Sequence, residues 1–160
     1  MIRRATPADV PVIADLIRAL AEYEKLAHCV VLDEAKLHSH LFGARIYAEV
    51  LLAEDAGQVV GIAVFFHNYS TFRGAPGIYL EDLFVLPEFR GTGHGKALLA
   101  ELAKIAVARG CARVEWSVLN WNSPAIDFYK SLGATAMNEW TVYRLTDDAL
   151  ARLANSFSEP

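Results

Sequence analysis

Residues Glu88 to Lys96 read EFRGTGHGK. Gly91, Gly93 and Gly95 alternate with Thr92 and His94, between Arg90 and Lys96. Such a run gathers backbone N–H groups where no side chain bars close approach. The spacing of Leu98, Leu99, Leu102, Ile105 and Ala106 predicts a helix immediately after it. The amides of Gly91–Lys96 and the positive helix end then suit an anion, with Arg90 as an added cation. The bland alternative is a tight strand-to-helix connection without a ligand. A nucleoside-triphosphate loop is excluded, because Arg90 replaces its first glycine and Ala97 its Mg²⁺-binding hydroxyl. A dinucleotide fingerprint is disfavoured. The glycines run GxGxG, Pro87–Arg90 intervene after the strand, and the remaining chain is too short for a second half, although Glu115 lies at a suitable distance. A pyrophosphate remains as the candidate anion.

A second chemical signal precedes the turn. Glu81 and Asp82 interrupt the apolar run Ile78–Leu86, IYLEDLFVL. Buried unpaired carboxylates are unfavourable, so the pair should face a partner or a cleft. Neighbouring strand residues point to opposite faces unless a bulge intervenes, so one carboxylate is expected at a site and the other in a structural role. Two strand-end carboxylates bonded to nearby N–H groups are the alternative. Cys29 and Cys111 lie far apart, form no metal-like spacing, and read as inert thiols of a reducing compartment. The five histidines show no metal spacing, and His38 and His40 point to different faces of a predicted helix. No metal is expected.

These groups must be positioned by a chain of 160 residues, 54% hydrophobic, with net charge −4. That composition implies one domain, 1–160, with a sizeable core. The acidic balance argues against nucleic acid as a partner. No apolar run is long enough to span a bilayer, and MIRRATPADV lacks a signal peptide's apolar segment, so a cytoplasmic protein is expected. Ile2–Ala5 reads as a strand. Thr6-Pro7-Ala8-Asp9 then reads as a capped helix start, followed by Val10, Ile13, Leu16, Ile17 and Leu20 at helical spacing. Residues 33–43 suit a second helix. Tyr47–Glu54 and Gln58–His67 flank Asp55-Ala56-Gly57 as a hairpin, and Ser70–Gly77 reads as a loop. After the glycine turn come a helix to Ala108 capped near Gly110, a strand over Arg113–Leu119, a short helix from Ser123-Pro124 to Lys130, and a last strand over Thr141–Leu145. The expectation is an α/β (α+β) sandwich: a mixed, mostly antiparallel sheet of six to seven strands flanked by about four helices.

Arg90-Gly91-Thr92-Gly93-His94-Gly95 resembles the R/Q-x-x-G-x-G/A acetyl-CoA motif of the GNAT N-acetyltransferases. Tyr23-Glu24, Tyr79–Val85 (YLEDLFV), Trp121-Asn122-Ser123-Pro124 and Asp127-Phe128-Tyr129-Lys130 follow the family order across nearly the whole chain. Together they resemble the spermidine/spermine branch, which includes thialysine acetyltransferases. The resemblance implies a GNAT fold splayed at the acetyl-CoA site, acetyl-CoA as co-substrate, a small amine acceptor and a homodimer.

The resemblance also implies roles. Acyl transfer to a protonated amine needs a base, and Glu81 matches the family's amine-site carboxylate. Tyr129 would be a core partner of Phe128 on base rates alone, but it matches the tyrosine that protonates the leaving thiol. Leu83, Phe84 and Val85 would pair with the cofactor through backbone groups. Asn122 and Ser123 would contact the cofactor, although Asn122 equally suits a helix cap. Tyr23, Glu24, Asp82, Glu115, Trp116, Ser117, Glu139 and Trp140 match, or lie near, acceptor positions. A solvated rim with core aromatics is the other reading of that set. The loop STFRGAPG is shorter than in the polyamine enzymes and carries Arg73 where they have an acid. The stretch before Trp140 is also shortened. Both departures favour a diamine or a lysine-like amine over long polyamines. The same enzyme class acting on a peptide or protein amine, and a non-catalytic CoA-binding sensor, remain the alternatives.

Overall fold

The computed structural model describes residues 1–156. They form two compact units, Met1–Ser117 and a second starting at Val118.

The first unit is built on a five-stranded sheet with strand order β1-β2-β3-β4-β5. The strands are β1 (Ile2–Arg4), β2 (Glu49–Asp55), β3 (Gln58–Ser70), β4 (Ala75–Val85) and β5 (Val114–Trp116). The first three pairings are antiparallel and β4 pairs with β5 in parallel. Three α-helices accompany the sheet: α1 (Val10–Tyr23), α2 (Glu34–Phe42) and α3 (His94–Ala108). The strands alternate their side chains between two cores. Leu51, Ala53, Phe65, Ile78, Leu80 and Val85 pack with Leu98, Leu102 and Ile105 of α3. Val50, Leu52, Ile62, Val64 and Phe84 pack with Ile13, Leu16 and Leu20 of α1 and Leu41 of α2. Full burial of a side chain such as Phe65 contributes roughly 1.5–3 kcal/mol, so these two layers fix the sheet's register.

Local signals set the helix ends. Asp9 ends a single 3₁₀ turn, Pro7–Asp9, that leads into α1. Its carboxylate accepts from the Thr6 backbone N–H (2.7 Å) and hydroxyl (2.8 Å) and pairs with Arg3 (2.8 Å). Asp33 caps α2, accepting from the Lys36 N–H at 2.8 Å.

The register of β4 against β3 slips once. Val64 faces Asp82 and Phe65 faces Leu80, which leaves Glu81 as an extra residue, a β-bulge. The bulge inverts the pleat. Ile78 and Leu80 face α3 before it, and Val85 faces α3 after it, an odd separation that a regular strand does not give. Asp82 and Phe84 are thereby turned toward the face of Val64 and Ile62, on the side of α1.

The second unit holds α4 (Ser123–Ser131) and α5 (Asp147–Ala154). Asn122 caps α4, its side-chain oxygen accepting from the Ala125 N–H at 3.4 Å.

Several expectations are corrected. Among the described residues the sheet has five strands, not six to seven, and Thr141–Leu145 is not a strand. Its Val142 and Tyr143 are highly exposed, so β-branched composition there has no partner ladder to join. Five α-helices replace the expected four, since α5 was not foreseen. The loop over Ser70–Gly77 is shorter than expected, because Ser70 pairs with Ala75 and Tyr69 with Pro76. The strand expected over Arg113–Leu119 is confined to Val114–Trp116.

The β2–β3 hairpin turns on Ala56 and Gly57, with φ of +46° and +82°. Two positive φ values match a type I′ turn, which glycine and asparagine adopt readily and alanine does not. Ala56→Asn is expected to stabilise the protein by about 1 kcal/mol. Denaturant unfolding that leaves the slope unchanged and moves the midpoint upward checks this.

Candidate active site

The sequence-predicted residues of the first unit gather around the end of β4. The β4–β5 ladder consists of Ile78↔Val114, Tyr79↔Glu115 and Leu80↔Trp116. β5 ends at Trp116 while β4 continues to Val85, so Glu81–Val85 run beyond the parallel pairing. The bulge therefore sits where the two strands part. Glu81 is exposed and Asp82 half-buried. Burial pushes the Asp82 carboxyl up to about 6, and the charges of Glu81 and then Glu24 add to the shift. Burial also raises Glu24, which ends α1. Asp82 thus feels the charges of two further acidic groups, Glu81 and Glu24.

The glycine turn follows β4 through a 3₁₀ turn, Pro87–Phe89. Gly91 and Gly93 have φ of +77° and +95°, and a Cβ on either would point into open space. A backbone of this shape is strained for other residues, and here it leaves the turn's surface bare. The first intrahelical bond joining α3 to the turn is donated by Ala97 to the Gly93 carbonyl, at 2.9 Å. The N–H groups of His94, Gly95 and Lys96 precede it, at the positive end of the helix dipole. This geometry fits a pyrophosphate-sized anion.

Side chains of the turn do different work from its backbone. The Thr92 hydroxyl donates to the Phe89 carbonyl at 2.6 Å. His94 packs edge-on to Phe89, and its Nε2 lies 3.4 Å from Asp55 of the β2–β3 turn. Arg90 donates from Nε to the Val85 carbonyl at 3.0 Å. Its guanidinium lies 4.3 Å from the Tyr23 ring centroid and 5.4 Å from that of Phe84. Asp55 carried no sequence signal as a neighbour of the turn; only the hairpin's position places it there.

The remaining predicted acceptor residues divide. Glu115 accepts from Asn68 at 3.0 Å and pairs with Arg113 at 2.8 Å, so it belongs to a polar network along β3 and β5. Ser117 and the Tyr79 hydroxyl are 2.8 Å apart. Trp116 packs against the α3-side core. Asn122, Ser123 and Tyr129 lie in the second unit, on and beside α4, where Asn122 is buried and Tyr129 half-buried against Phe128 at 5.5 Å between rings. Glu139 and Trp140 lie in the irregular stretch before α5, and Trp140 is exposed.

Cys111 has a neighbour that the sequence did not announce. Its Sγ lies 3.8 Å from His67 Nδ1. That nitrogen is also 2.9 Å from the Gly77 carbonyl, while Nε2 is 2.8 Å from Arg109 Nη1. A carbonyl only accepts and a guanidinium only donates, which assigns the ring proton to Nδ1. The nitrogen facing the thiol is therefore a donor, not a base. Among the described residues no group of three or more His, Cys, Asp or Glu is arranged to hold a metal, and no helix is long and apolar enough to cross a membrane.

A mixed sheet that parts beside a bulge thus leads into a glycine turn at a helix start. The Acetyltransferase (GNAT) family matches residues 14–134, and the chain belongs to that family and is an N-acetyltransferase. It is 40% identical to a thialysine N-epsilon-acetyltransferase of Bos taurus, over 96% of both chains. It is 36% identical to the L-ornithine N5-acetyltransferase NATA1 of Arabidopsis thaliana, over 93% of this chain and 85% of the relative. Among solved structures, an integron cassette protein from the mobile metagenome of V. cholerae superposes with a TM-score of 0.80, at 27% identity and 97% coverage of both chains.

The raised Asp82 has a consequence for stability. A carboxyl that binds its proton more tightly when folded makes the folded state take up protons between the ordinary value, 3.8, and about 6. Stability from this group therefore falls as pH rises through that window. Asp82→Asn is expected to be more stable than the wild type at pH 7, with the difference shrinking toward pH 4. Unfolding midpoints of both proteins from pH 4 to 8 check this; a difference independent of pH would remove the titration of Asp82 as its source.

Proposed function

We propose that this N-acetyltransferase moves acetyl from acetyl-CoA directly to the primary amine of a small cationic acceptor, a diamine, polyamine or lysine-like amine. The observation that carries this reading is the bulge. It presents Glu81 beside Asp82 and Glu24 at the point where β4 leaves β5 and runs toward the glycine turn. Neighbouring acidic groups favour a positively charged ligand. The thialysine and ornithine acceptors in the relatives' names both carry an amine on a short amino-acid side chain, which supports a lysine-like acceptor.

Acetyl-CoA, as co-substrate, supplies an activated thioester. The backbone amides over Arg90, Gly91, Thr92, Gly93, His94, Gly95 and Lys96 are the candidate pyrophosphate site. Leu83, Phe84 and Val85 offer backbone groups along the parted strand, and Asn122 and Ser123 complete the set. The acceptor amine, with a pKa of roughly 10, arrives protonated. Glu81 takes that proton, directly or through a water. The acceptor nitrogen then bonds to the acetyl carbon as the carbon–sulfur bond breaks, the Tyr129 phenol gives a proton to the departing sulfur, and the second proton lost by the nitrogen passes through solvent to restore the phenol. Tyr23, Asp82, Glu115, Trp116, Ser117 and Trp140 are the further acceptor candidates. The 96% coverage of both chains by a relative supports one functional domain over 1–160, and we read the protein as a cytoplasmic homodimer.

Thiol release with L-ornithine, thialysine, putrescine, spermidine and a lysine peptide tests the reading. Turnover is expected with the amino-acid or diamine acceptors and not with the peptide. Tyr129→Phe is expected to lower kcat by about 10²-fold or more while acetyl-CoA binds within about twofold of wild type. Glu81→Gln is expected to lower kcat by about 10²-fold. Tight acetyl-CoA binding with transfer to none of these amines would point to a sensor; unchanged kcat in Tyr129→Phe would remove that residue from the chemistry.

A further inference from the structure

We propose that the Arg90 side chain is a positioning residue for the acceptor side of the site, not an anchor for the cofactor's phosphates. The inference rests on the acetyltransferase reading above. Arg90 immediately precedes Gly91, so its backbone belongs to the anion turn. Its side chain is committed elsewhere. Nε donates to the Val85 carbonyl at 3.0 Å, which fixes the plane of the guanidinium against the last residue of β4. The guanidinium carbon then lies over the Tyr23 ring, 4.3 Å from its centroid, and 5.4 Å from that of Phe84. Tyr23 and Phe84 are themselves 6.4 Å apart and tilted by 50°. One guanidinium thus joins the end of α1 to the end of β4.

What lies beyond Tyr23 gives this brace its meaning. Tyr23 is the last residue of α1, and Glu24 follows as its cap. The chain reverses there: Lys25 has φ of +61°, and the N–H groups of Glu24, Lys25 and Leu26 return to Leu20, Glu22 and Ala21. The Arg90–Tyr23 brace therefore holds the residue next to Glu24, whose charge acts on Asp82. Lysine keeps a cation at position 90 but has neither the planar face nor the fixed fork that this arrangement uses.

The test compares Arg90→Lys, Tyr23→Leu, Tyr23→Phe and the double variant Arg90→Lys/Tyr23→Leu with the wild type. It reads KM for L-ornithine and putrescine, kcat, and acetyl-CoA affinity by calorimetry. Arg90→Lys and Tyr23→Leu are each expected to raise the amine KM about tenfold, with acetyl-CoA affinity within about twofold. The double variant is expected to be no worse than the poorer single one, and Tyr23→Phe, which keeps the ring, to raise the amine KM less than Tyr23→Leu does. Acetyl-CoA affinity reduced about tenfold in Arg90→Lys with amine KM unchanged would make Arg90 a phosphate anchor and overturn the proposal. Single effects that multiply in the double variant, or Tyr23→Phe as damaging as Tyr23→Leu, would also overturn it. Wild type that turns over no amine overturns the underlying reading, a result separate from any pattern among the variants.

Discussion

In a strand covered on both faces, one break in the alternation can turn a carboxylate out of an apolar layer and keep both layers continuous. In β4 the break is the single extra residue Glu81. Without it, Asp82 would follow Leu80 by two positions and enter the apolar layer beneath α3. With it, Leu80 and Val85 both serve that layer, Phe84 serves the layer beneath α1, and Asp82 joins the α1 side beside Glu24. The bulge also coincides with the last rung of the β4–β5 ladder. One local irregularity therefore decides the facing of the acidic groups, the exit of β4 from its parallel partner and the approach of the chain to the glycine turn.

The turn in turn depends on contacts made by its side chains with older parts of the chain. Phe89 and His94 face each other, and His94 meets Asp55 at the β2–β3 hairpin. Thr92 closes a local bond onto Phe89. Arg90 reaches back to Val85 and Tyr23. Each contact is weak alone, since an exposed cation–π pair contributes about 0.5–1 kcal/mol. Together they hold a backbone with two left-handed glycines in one shape. A cradle held in advance does not spend binding free energy on ordering itself when an anion arrives.

Much of this was legible in the sequence because it is encoded locally. Apolar, β-branched runs marked β2 and β3, Asp55-Ala56-Gly57 marked their hairpin, and the Leu98–Leu102–Ile105 stripe marked α3. The glycine pattern marked the turn, and Glu81-Asp82 marked the disturbed strand. What was not legible depends on pairing between distant segments. Nothing near Glu81 says which of the two carboxylates is the extra residue; only the register against Val64 and Phe65 does. The long β3–β4 ladder consumes residues that look like a loop, because Ser70 and Ala75 pair across a four-residue turn despite Pro76 and Gly77. Thr141–Leu145 has strand-like composition but no ladder, and composition cannot supply one. The placement of Asp55, Tyr23 and His67 against their partners likewise follows from the fold and not from spacing.

The acidic crowding at Glu24, Glu81 and Asp82 also bears on which acceptor the site suits. Like charges held together raise the free energy of the folded protein, and the elevated Asp82 registers that repulsion and its burial. A bound cation relieves it, so part of the binding free energy of a cationic amine is stored in the empty protein. The relief is greatest when positive charge lies close to all three groups, as with a short acceptor carrying two ammonium groups a few bonds apart. A long polyamine places its further charges beyond the cluster, where solvent screens them within about 8–10 Å. This is the physical ground on which diamines and basic amino acids are proposed as acceptors.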